Sequence, residues 1–337
     1  MNAPKRIFLI QTAFIGDAVL STPLPRAVKV LYPEAELDLV LTPQTEIIYR
    51  RNPDISKIYV FQKSSGWWRK LRSLAGMIRA LRERRYDVAL SVHVSFTSSL
   101  IMLLSGAPIR IGYPRQKFAT ARVSLPSGYP MHKRSLLLLG PLTDRVFDLS
   151  TRLYIPPESA ASIEAFLKQE SLNPEKLVAL APGSIWATKR WPQEFFAELI
   201  RGLHNAGWQC VVLGGNSDND LCAGILKAAQ TPAINAAGRF DLITSAELIR
   251  RCRLLICNDS GPLHIANAVQ TPVLAIMGPT RTPGFLPYRE HDRMVEIDLY
   301  CRPCGKHGHQ KCPEGHWRCM REILPERVLQ QALEMLR

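Results

Sequence analysis

Short apolar runs alternate with segments of helical periodicity along the whole chain, and this alternation restricts the fold more than any other feature. When each strand-length run is followed by a helix, the strands pair in parallel and the helices cover both faces of the sheet. The predicted strands occupy 6–10, 37–41, 57–61, 88–92, 109–112, 177–180, 209–213, 254–257 and 273–276. The predicted helices occupy 18–30, 68–84, 96–104, 193–205, 217–229, 245–251, 262–268 and 324–336.

The alternation runs twice, with a break at 148–158 that contains Pro156-Pro157. A chain of 337 residues is also long for one domain. We therefore predict an α/β protein of two Rossmann-like, doubly wound parallel-sheet domains, 1–150 and 151–337. Ligands of such folds bind outside the carboxyl ends of the strands, so we expect the active site in an interdomain cleft.

Several classes of protein do not fit this sequence. No apolar run approaches the length of about 18 residues that a membrane span needs, and the first 25 residues contain no signal-peptide pattern. We therefore expect a cytoplasmic protein. After the first strand, a dinucleotide-binding fingerprint would have three glycines, but the loop from Gln11 to Asp17 contains only Gly16. This argues against a nicotinamide or flavin enzyme.

Positive charge is concentrated in the first half of the chain. The formal net charge is +14, and residues 1–150 contribute +12 of it, from 22 Lys and Arg residues against 10 Asp and Glu residues. Seven of these cations lie within residues 69–85, directly after Trp67-Trp68: Arg69, Lys70, Arg72, Arg79, Arg82, Arg84 and Arg85. The pattern favours an anionic membrane surface or a phosphorylated ligand over nucleic acid, for which no binding motif is present. A solvated helix face with packed tryptophans is the alternative.

Two loops that follow predicted strands carry the residue types of an anion site. In the segment from Asn258 to Pro262, residues that favour helix N-caps precede a glycine and a first-turn proline, so backbone N–H groups and the positive dipole end are exposed. The earlier loop, from Pro182 to Pro192, adds the cations Lys189 and Arg190. Because parallel strands end at the same edge of a sheet, the two loops together predict a site for a nucleotide diphosphate.

Asp17 follows the first strand and has two interpretations. A carboxylate at the start of a helix commonly caps it, which stabilises the helix by about 1 kcal/mol. A carboxylate at the mouth of a predicted cleft can instead act as a general base. Spacing alone favours the helix-capping role.

Three segments together resemble the ADP-heptose:lipopolysaccharide heptosyltransferases. These are Thr12-Ala13-Phe14-Ile15-Gly16-Asp17, Pro182-Gly183-Ser184 with Lys189-Arg190-Trp191-Pro192, and Asn258-Asp259-Ser260-Gly261-Pro262-Leu263-His264. The second-half motifs are similar to those of the heptosyltransferase II branch, and the similarity includes Gly278-Pro279-Thr280. The resemblance implies a GT-B architecture, with acceptor binding in the first domain and ADP-heptose binding in the second. It also implies inverting transfer that requires no metal or other cofactor.

The same resemblance implies roles for individual residues. Asp17 would be the general base, in a cleft loop that also contains Thr12, Ala13 and Gly16. Lys189, with Arg190, would neutralise the diphosphate leaving group. The remaining donor contacts would come from Ser184, Asp259, Ser260, Gly261 and His264. Two alternatives stay open from the residues themselves: Asp259 as a helix N-cap, and His264 as a locally packed histidine.

The implied acceptor is the inner core of lipopolysaccharide, in which acidic Kdo sugars are attached to the phosphorylated lipid A. The basic first domain would then bind peripherally at the cytoplasmic surface of the inner membrane. The alternative functions are another nucleotide-sugar transferase of the same fold, or a non-catalytic module that binds anionic ligands.

All eight cysteines follow residue 208. Cys210, Cys222, Cys252 and Cys257 lie in or beside predicted strands and helices and are interpreted as buried small hydrophobic residues. Cys301, Cys304, Cys312 and Cys319 lie in a predicted loop, 301–319, together with His307, His309 and His316. A structural metal site and reduced surface thiols are both open for this loop, because only the first pair has the spacing of a zinc ligand pair. We expect catalysis not to depend on it.

Overall fold

The computed structural model of the chain describes residues 3–62, 66–280, 288–305 and 307–337, and the side chains of 67–71 lie outside the described part. It forms two compact units, Met1–Tyr154 and Ile155–Arg337. Each unit contains a six-stranded parallel sheet with flanking helices. The prediction of two doubly wound parallel sheets is confirmed.

The first sheet has the strand order β3-β2-β1-β4-β5-β6. Its strands are β1 Arg6–Gln11, β2 Glu36–Leu41, β3 Lys57–Val60, β4 Val88–Ser91, β5 Ile109–Gly112 and β6 Ala121–Arg122. Strand β1 pairs with β2 on one side and β4 on the other, with Leu9 opposite Leu39 and Leu90. Strand β1 is buried from Ile7 to Gln11, as is typical of an inner strand of a parallel sheet.

The helices of the first unit are α1 Ile15–Leu20, α2 Pro23–Leu31, α3 Pro43–Tyr49, α4 Trp67–Arg84 and α5 Phe96–Leu104, and a 3-10 helix covers Met131–Leu139. The predicted single helix 18–30 is wrong, since the chain breaks between α1 and α2. Pro23 has no N–H group to continue α1, and the hydroxyls of Ser21 and Thr22 donate back to carbonyls of α1. Helix α3 and the 3-10 helix were not predicted.

The second sheet repeats the order of the first, as β12-β11-β10-β7-β8-β9. Its strands are β7 Leu177–Ala181, β8 Gln209–Val212, β9 Ile234–Asn235, β10 Leu254–Asn258, β11 Val273–Ile276 and β12 Arg293–Val295. Strand β10 lies between β7 and β11, with Ile256 opposite Leu180 and Leu274. The central strands are fully buried.

The helices of the second unit are α6 Pro157–Gln169, α7 Gln193–Asn205, α8 Asn219–Ala229, α9 Leu242–Arg250, α10 Gly261–Ala268, α11 Arg318–Arg321 and α12 Pro325–Met335. A 3-10 turn covers Ala187–Lys189. Helix α9 begins three residues before its predicted start because the Asp241 carboxylate accepts a hydrogen bond from Thr244 N at 2.7 Å and caps it. Helices α6 and α11 and the short strands β9 and β12 were not predicted.

The four early cysteines are buried in the second unit, as their positions indicated. Burial raises the pKa of the Cys210 and Cys222 thiols to about 12, so both are protonated at neutral pH. Among the described residues, no helix is both long and apolar enough to cross a bilayer.

Candidate active site

In the second unit, the loops after β7 and β10 leave neighbouring strands at the point where the strand order reverses. This is the position at which open α/β sheets bind ligands. Asn258, the last residue of β10, connects the two loops. Its amide nitrogen donates to Pro182 O at 2.7 Å, and its amide oxygen accepts from Trp191 N at 3.2 Å. One buried side chain therefore holds both ends of loop 182–191.

Between these two loops, Lys189 and Asp259 form a buried ion pair. Lys189 Nζ lies 2.5 Å from Asp259 Oδ2, and the two side chains are 10% and 7% exposed. The hydroxyl of Thr280 donates to the same carboxylate oxygen at 2.6 Å. The interpretation of Asp259 as a helix N-cap is wrong, because Ser260 occupies the N-cap of α10 and the carboxylate is bound to Lys189 and Thr280. A charge buried to this degree is stable only when it is paired, so each residue holds the other in place.

Helix α10 begins at Gly261, with Pro262 in its first turn as predicted. Within the described part of the chain, the Ser260 hydroxyl is buried and has no hydrogen-bond partner. The positive end of the helix dipole and an unpaired hydroxyl therefore follow directly after Asp259 in the chain. Such a helix start is suited to an anionic oxygen.

His264 lies one turn into α10 and is only 6% exposed. Burial lowers its pKa to about 4, with Asp259 opposing and Lys189 adding to the effect. The imidazole is therefore neutral at pH 7. Its Nδ1 lies 3.3 Å from the hydroxyl of Tyr288. His264 can offer a hydrogen bond to a ligand at neutral pH, but not a positive charge.

Arg190 and Ser184 brace loop 182–191 from within. The exposed Arg190 donates from Nε to Ser184 O at 2.8 Å, and Ser184 Oγ accepts from Trp186 N at 3.4 Å. Gly183 packs tightly against a neighbouring turn, because a Cβ at this position would lie 2.7 Å from the Asp218 carboxylate. Arg190 and Ser184 are therefore hydrogen-bonded within their own loop.

The first unit contains a cavity of about 250 Å³ at the carboxyl ends of β1 and β4. Gln11, Ala13 and Asp17 contribute to its lining from the β1 side. The loops after the two strands are joined by a hydrogen bond of 2.8 Å between Thr12 Oγ1 and His93 Nδ1. The cavity therefore lies at the point of strand-order reversal in this sheet too.

Asp17 lines this cavity from the first turn of α1. It does not occupy the N-cap position, which belongs to Phe14. Its backbone carbonyl accepts from Gln11 Nε2 at 3.0 Å, and Gln11 Oε1 accepts from Ala13 N at 3.0 Å. The buried Gln11 amide thereby ties loop 12–17 to the end of β1, with Gly16 directly before Asp17.

Sequence reasoning missed Arg134, which also lines the cavity. It lies in the 3-10 helix Met131–Leu139, and its carbonyl accepts from the Tyr113 hydroxyl at 3.1 Å. Within the described residues, its buried Nε has no hydrogen-bond partner. The only signal in the sequence was a basic residue directly before the run Ser-Leu-Leu-Leu-Leu, with no motif around it.

Helix α4 carries the basic cluster predicted from the sequence. Met77 and Leu81 pack into the core of the first unit, while Arg72, Arg79 and Arg82 are exposed. Arg79 pairs with Glu83 at 2.9 Å on the exposed surface of the helix. Arg84 is only partly exposed, and it forms ion pairs with the buried Asp38 at 3.2 Å and with Glu36 at 3.0 Å. The sequence also predicts membrane contacts for Trp67, Trp68, Arg69 and Lys70. The side chains of these four residues lie outside the described part of the structure.

The late cysteines are unpaired thiols. Cys301 Sγ lies 3.7 Å from His316 Nε2, and Cys304 Sγ donates to Cys301 O at 3.2 Å. Burial, with smaller effects of the neighbouring thiols, raises the pKa of Cys319 to about 11. In the described ranges, no three metal-ligating side chains are grouped so that they could hold an ion.

The structure therefore groups the predicted site residues into two sets. One set follows β7 and β10 in the second unit and consists of Ser184, Lys189, Arg190, Asp259, Ser260, Gly261 and His264. The other follows β1 in the first unit and consists of Thr12, Ala13, Gly16 and Asp17. Each set lies where its own sheet can bind a ligand.

Comparison with known proteins adds the family. The model described as glycosyltransferase family 9 (heptosyltransferase) matches residues 74–317. The chain is 28% identical over 348 residues to lipopolysaccharide heptosyltransferase 2 of Salmonella typhimurium, with 98% of both chains covered. It is similar to a solved glycosyltransferase family 9 structure from Veillonella parvula, at a TM-score of 0.89 and 25% identity over 100% of this chain and 98% of that one. For E. coli ADP-heptose lps heptosyltransferase II, the TM-score is 0.77 at 26% identity over 98% of both chains.

Proposed function

Because the chain belongs to glycosyltransferase family 9, the heptosyltransferase family, and has its GT-B architecture, we propose that it transfers L-glycero-D-manno-heptose from ADP-heptose to the inner core of lipopolysaccharide. The family makes it a glycosyltransferase. The acceptor is proposed from relatives named lipopolysaccharide heptosyltransferase 2, which match 98% of this chain, and the donor from the solved E. coli ADP-heptose lps heptosyltransferase II.

The buried Lys189–Asp259 pair beside the start of α10 is the observation that carries the donor assignment. A lysine ammonium has three N–H donors, and Asp259 uses one of them. The other two can bind oxygens of a diphosphate, with help from the Ser260 hydroxyl and the helix dipole. Negative charge grows on the diphosphate as the glycosidic bond breaks, so these groups stabilise the transition state more than the bound donor.

On the acceptor side, we assign the general base to Asp17. Its carboxylate takes the proton of an acceptor hydroxyl as that oxygen attacks the anomeric carbon of heptose. ADP leaves from the opposite face, so the configuration at this carbon inverts. One displacement needs one base and one stabilised leaving group, which are the roles given to Asp17 and Lys189.

The cavity beside Asp17 suits an acidic acceptor, because Arg134 lines it and its Nε lacks a partner among the described residues. A guanidinium binds carboxylate and phosphate groups through two parallel hydrogen bonds. We therefore assign Arg134 to an anionic group of the acceptor, such as a Kdo carboxylate. His93, which is hydrogen-bonded to Thr12, lines the same cavity.

We further propose that transfer needs no metal or other cofactor. In nucleotide-sugar transfer, a divalent cation would serve mainly to neutralise the diphosphate. Here Lys189 and the start of α10 are assigned that task. The exposed arginines of α4 would hold the enzyme peripherally at the cytoplasmic face of the inner membrane, where anionic lipids attract basic surfaces.

The direct test is to incubate the purified enzyme with ADP-heptose and a lipopolysaccharide truncated to its Kdo residues. ADP release and heptose addition to the acceptor, seen by mass spectrometry, should occur together and persist in excess EDTA. ADP-glucose and GDP-mannose serve as matched donors. Transfer from one of these donors but not from ADP-heptose would instead identify another nucleotide-sugar transferase of this fold.

A further inference from the structure

Residues 307–310, named the strap here, lie against the loop that carries Lys189. The hydroxyl of Thr188 donates to His309 O at 2.9 Å and accepts from His309 N at 2.7 Å, while Thr188 N donates to the same carbonyl at 3.0 Å. Gln310 Nε2 donates to Ile185 O at 3.1 Å. The strap and the loop are therefore joined by four hydrogen bonds across more than 100 residues of sequence.

Within the strap, Gly308 packs against the loop that carries Lys189. It is buried, and a Cβ built on it would lie 2.7 Å from Trp186 Cβ and 3.0 Å from both Lys189 Cγ and Thr188 Oγ1. The backbone of the strap therefore packs directly on the aliphatic part of Lys189. No larger residue fits without moving this loop.

Cys304, which precedes the strap, connects it to the loop after β11. Cys304 N donates to Pro279 O at 2.9 Å, and the carbonyl of Cys304 lies 3.2 Å from His309 Nε2. Pro279 precedes Thr280, which donates to the Asp259 carboxylate. Cys304 and the strap are thus bonded to Thr188, the residue before Lys189, and to Pro279, the residue before the hydroxyl partner of Asp259.

Loop 182–191 needs such support. The turn Ala187–Lys189 is a 3-10 helix of three residues, which gives it little stability of its own. A side chain as long as lysine loses considerable rotamer entropy when its ammonium group is fixed. Contacts that fix Thr188 and the stem of Lys189 before the donor arrives reduce that cost on binding.

From these contacts we propose that Gly308 and His309 are positioning residues of the donor site, which set the Lys189 ammonium for the diphosphate. The strap acts through Thr188 and Lys189 and does not touch the reacting atoms. This inference rests on the proposed role of Lys189. It departs from the expectation that catalysis is independent of the cysteine-rich loop.

The test compares Gly308→Ala with Gly305→Ala, a matched change on the same segment. A Cβ at Gly305 would lie 3.6 Å from the nearest atom, His307 O, which is ordinary contact. We expect Gly308→Ala to raise the Kd for ADP and the KM for the donor at least tenfold, with the KM for the acceptor within twofold of wild type. Gly305→Ala should stay within twofold in all three. Equal donor constants in the two variants would overturn the proposal.

A second pair keeps the proposal falsifiable if Gly308→Ala does not fold. Thr188→Val removes the hydroxyl that bonds to His309, whereas Thr188→Ser keeps it. The valine variant should lose affinity for ADP by about the same factor as Gly308→Ala, and the serine variant should recover it. Loss of affinity in both variants would show that the strap bonds are not responsible.

A double-mutant cycle with Lys189→Met then separates this inference from the proposed function. If the strap acts through Lys189, Gly308→Ala should weaken ADP binding at least tenfold in the wild-type background and less than twofold in the Lys189→Met background. Equal effects of Gly308→Ala on ADP binding in both backgrounds would overturn the proposal that the strap positions Lys189. If the effect of Gly308→Ala depends on Lys189 but the wild-type enzyme does not transfer heptose, the strap proposal stands and only the proposed substrates are wrong.

Discussion

Lys189 Nζ and Asp259 Oδ2, which belong to residues 70 positions apart in sequence, lie 2.5 Å apart in a crevice where neither side chain is more than one-tenth exposed. Two loops at the ends of adjacent strands meet in this one contact. The pair fixes the ammonium group, and the other two of its three N–H donors have no hydrogen-bond partner among the described residues.

Removing the lysine should affect both donor binding and stability. In Lys189→Met the Asp259 carboxylate stays buried without its counterion, so we expect the free energy of unfolding to fall by about 3–5 kcal/mol. ADP binding should weaken strongly as well. The double variant Lys189→Met with Asp259→Asn should recover much of the stability but none of the affinity. Urea denaturation and calorimetric titration with ADP measure the two effects. Full recovery of ADP affinity would contradict the role of Lys189.

Replacing Asp17 by Asn should separate chemistry from donor binding. The change removes the proposed base and keeps the shape of the side chain, so kcat should fall by about 10²–10⁴-fold. The Kd for ADP, which depends on the second unit, should not change. Asp144→Asn, an exposed aspartate of the same unit, is the control. A kcat near that of the control would exclude Asp17 as the base.

Arg134→Met should raise the KM for the acceptor about tenfold or more, because a charge-assisted pair of hydrogen bonds to an anionic group is lost. The donor KM should stay within twofold. Arg122→Met removes the same charge from an exposed position of the first unit. Initial rates at varied acceptor concentration distinguish the variants. An unchanged acceptor KM in Arg134→Met would remove this residue from the acceptor site.

Stability should fall in mild acid because His264 is buried. Its pKa is about 4 in the folded protein and 6.5 ordinarily, so between these values the unfolded chain binds the extra proton. The contribution of neutral His264 to the free energy of unfolding is fully present above about pH 6.5. As the pH falls toward 4, up to about 3 kcal/mol of this free energy is lost. Urea unfolding at pH 7.5 and 4.5 should show a smaller decrease in His264→Gln than in wild type. His204→Gln, at an exposed position of α7, should match wild type.

The exposed arginines of α4 should control membrane binding. Changing Arg72, Arg79 and Arg82 to Gln removes about 1 kcal/mol of attraction to an anionic surface for each residue. Sedimentation with vesicles that contain phosphatidylglycerol should then fall sharply. The control is the same loss of charge at exposed positions of the second unit, Lys227, Arg321 and Arg327. If both triple variants bind vesicles equally well, α4 is not the membrane-facing surface.

Much of this fold could be predicted because its signals are local. Central strands of a parallel sheet are continuous apolar runs, and β11 occupies the predicted residues 273–276. Where hydrogen-bonding side chains compete with the backbone, the prediction failed, as at the break before Pro23. Strands of two residues, such as β9, carry too little pattern to detect.

Site residues that belong to sequence motifs could be predicted, whereas contacts between residues distant in sequence could not. Lys189 and Asp259 lie in recognisable loops, but nothing in the sequence shows that they pair with each other. Arg134 belongs to no motif, and the contact between Thr188 and His309 joins residues 121 positions apart. A pattern within one segment contains no information about such a partner.

The order in which the chain is synthesised has a consequence for the donor loop. Loop 182–191 is synthesised well before two of its partners, because the Trp191 indole donates to Ile323 O and Thr188 is bonded to the strap. The first unit, Met1–Tyr154, is compact by itself, and units of this kind generally fold during synthesis. The loop around Lys189 instead reaches its final shape only after Ile323 has emerged.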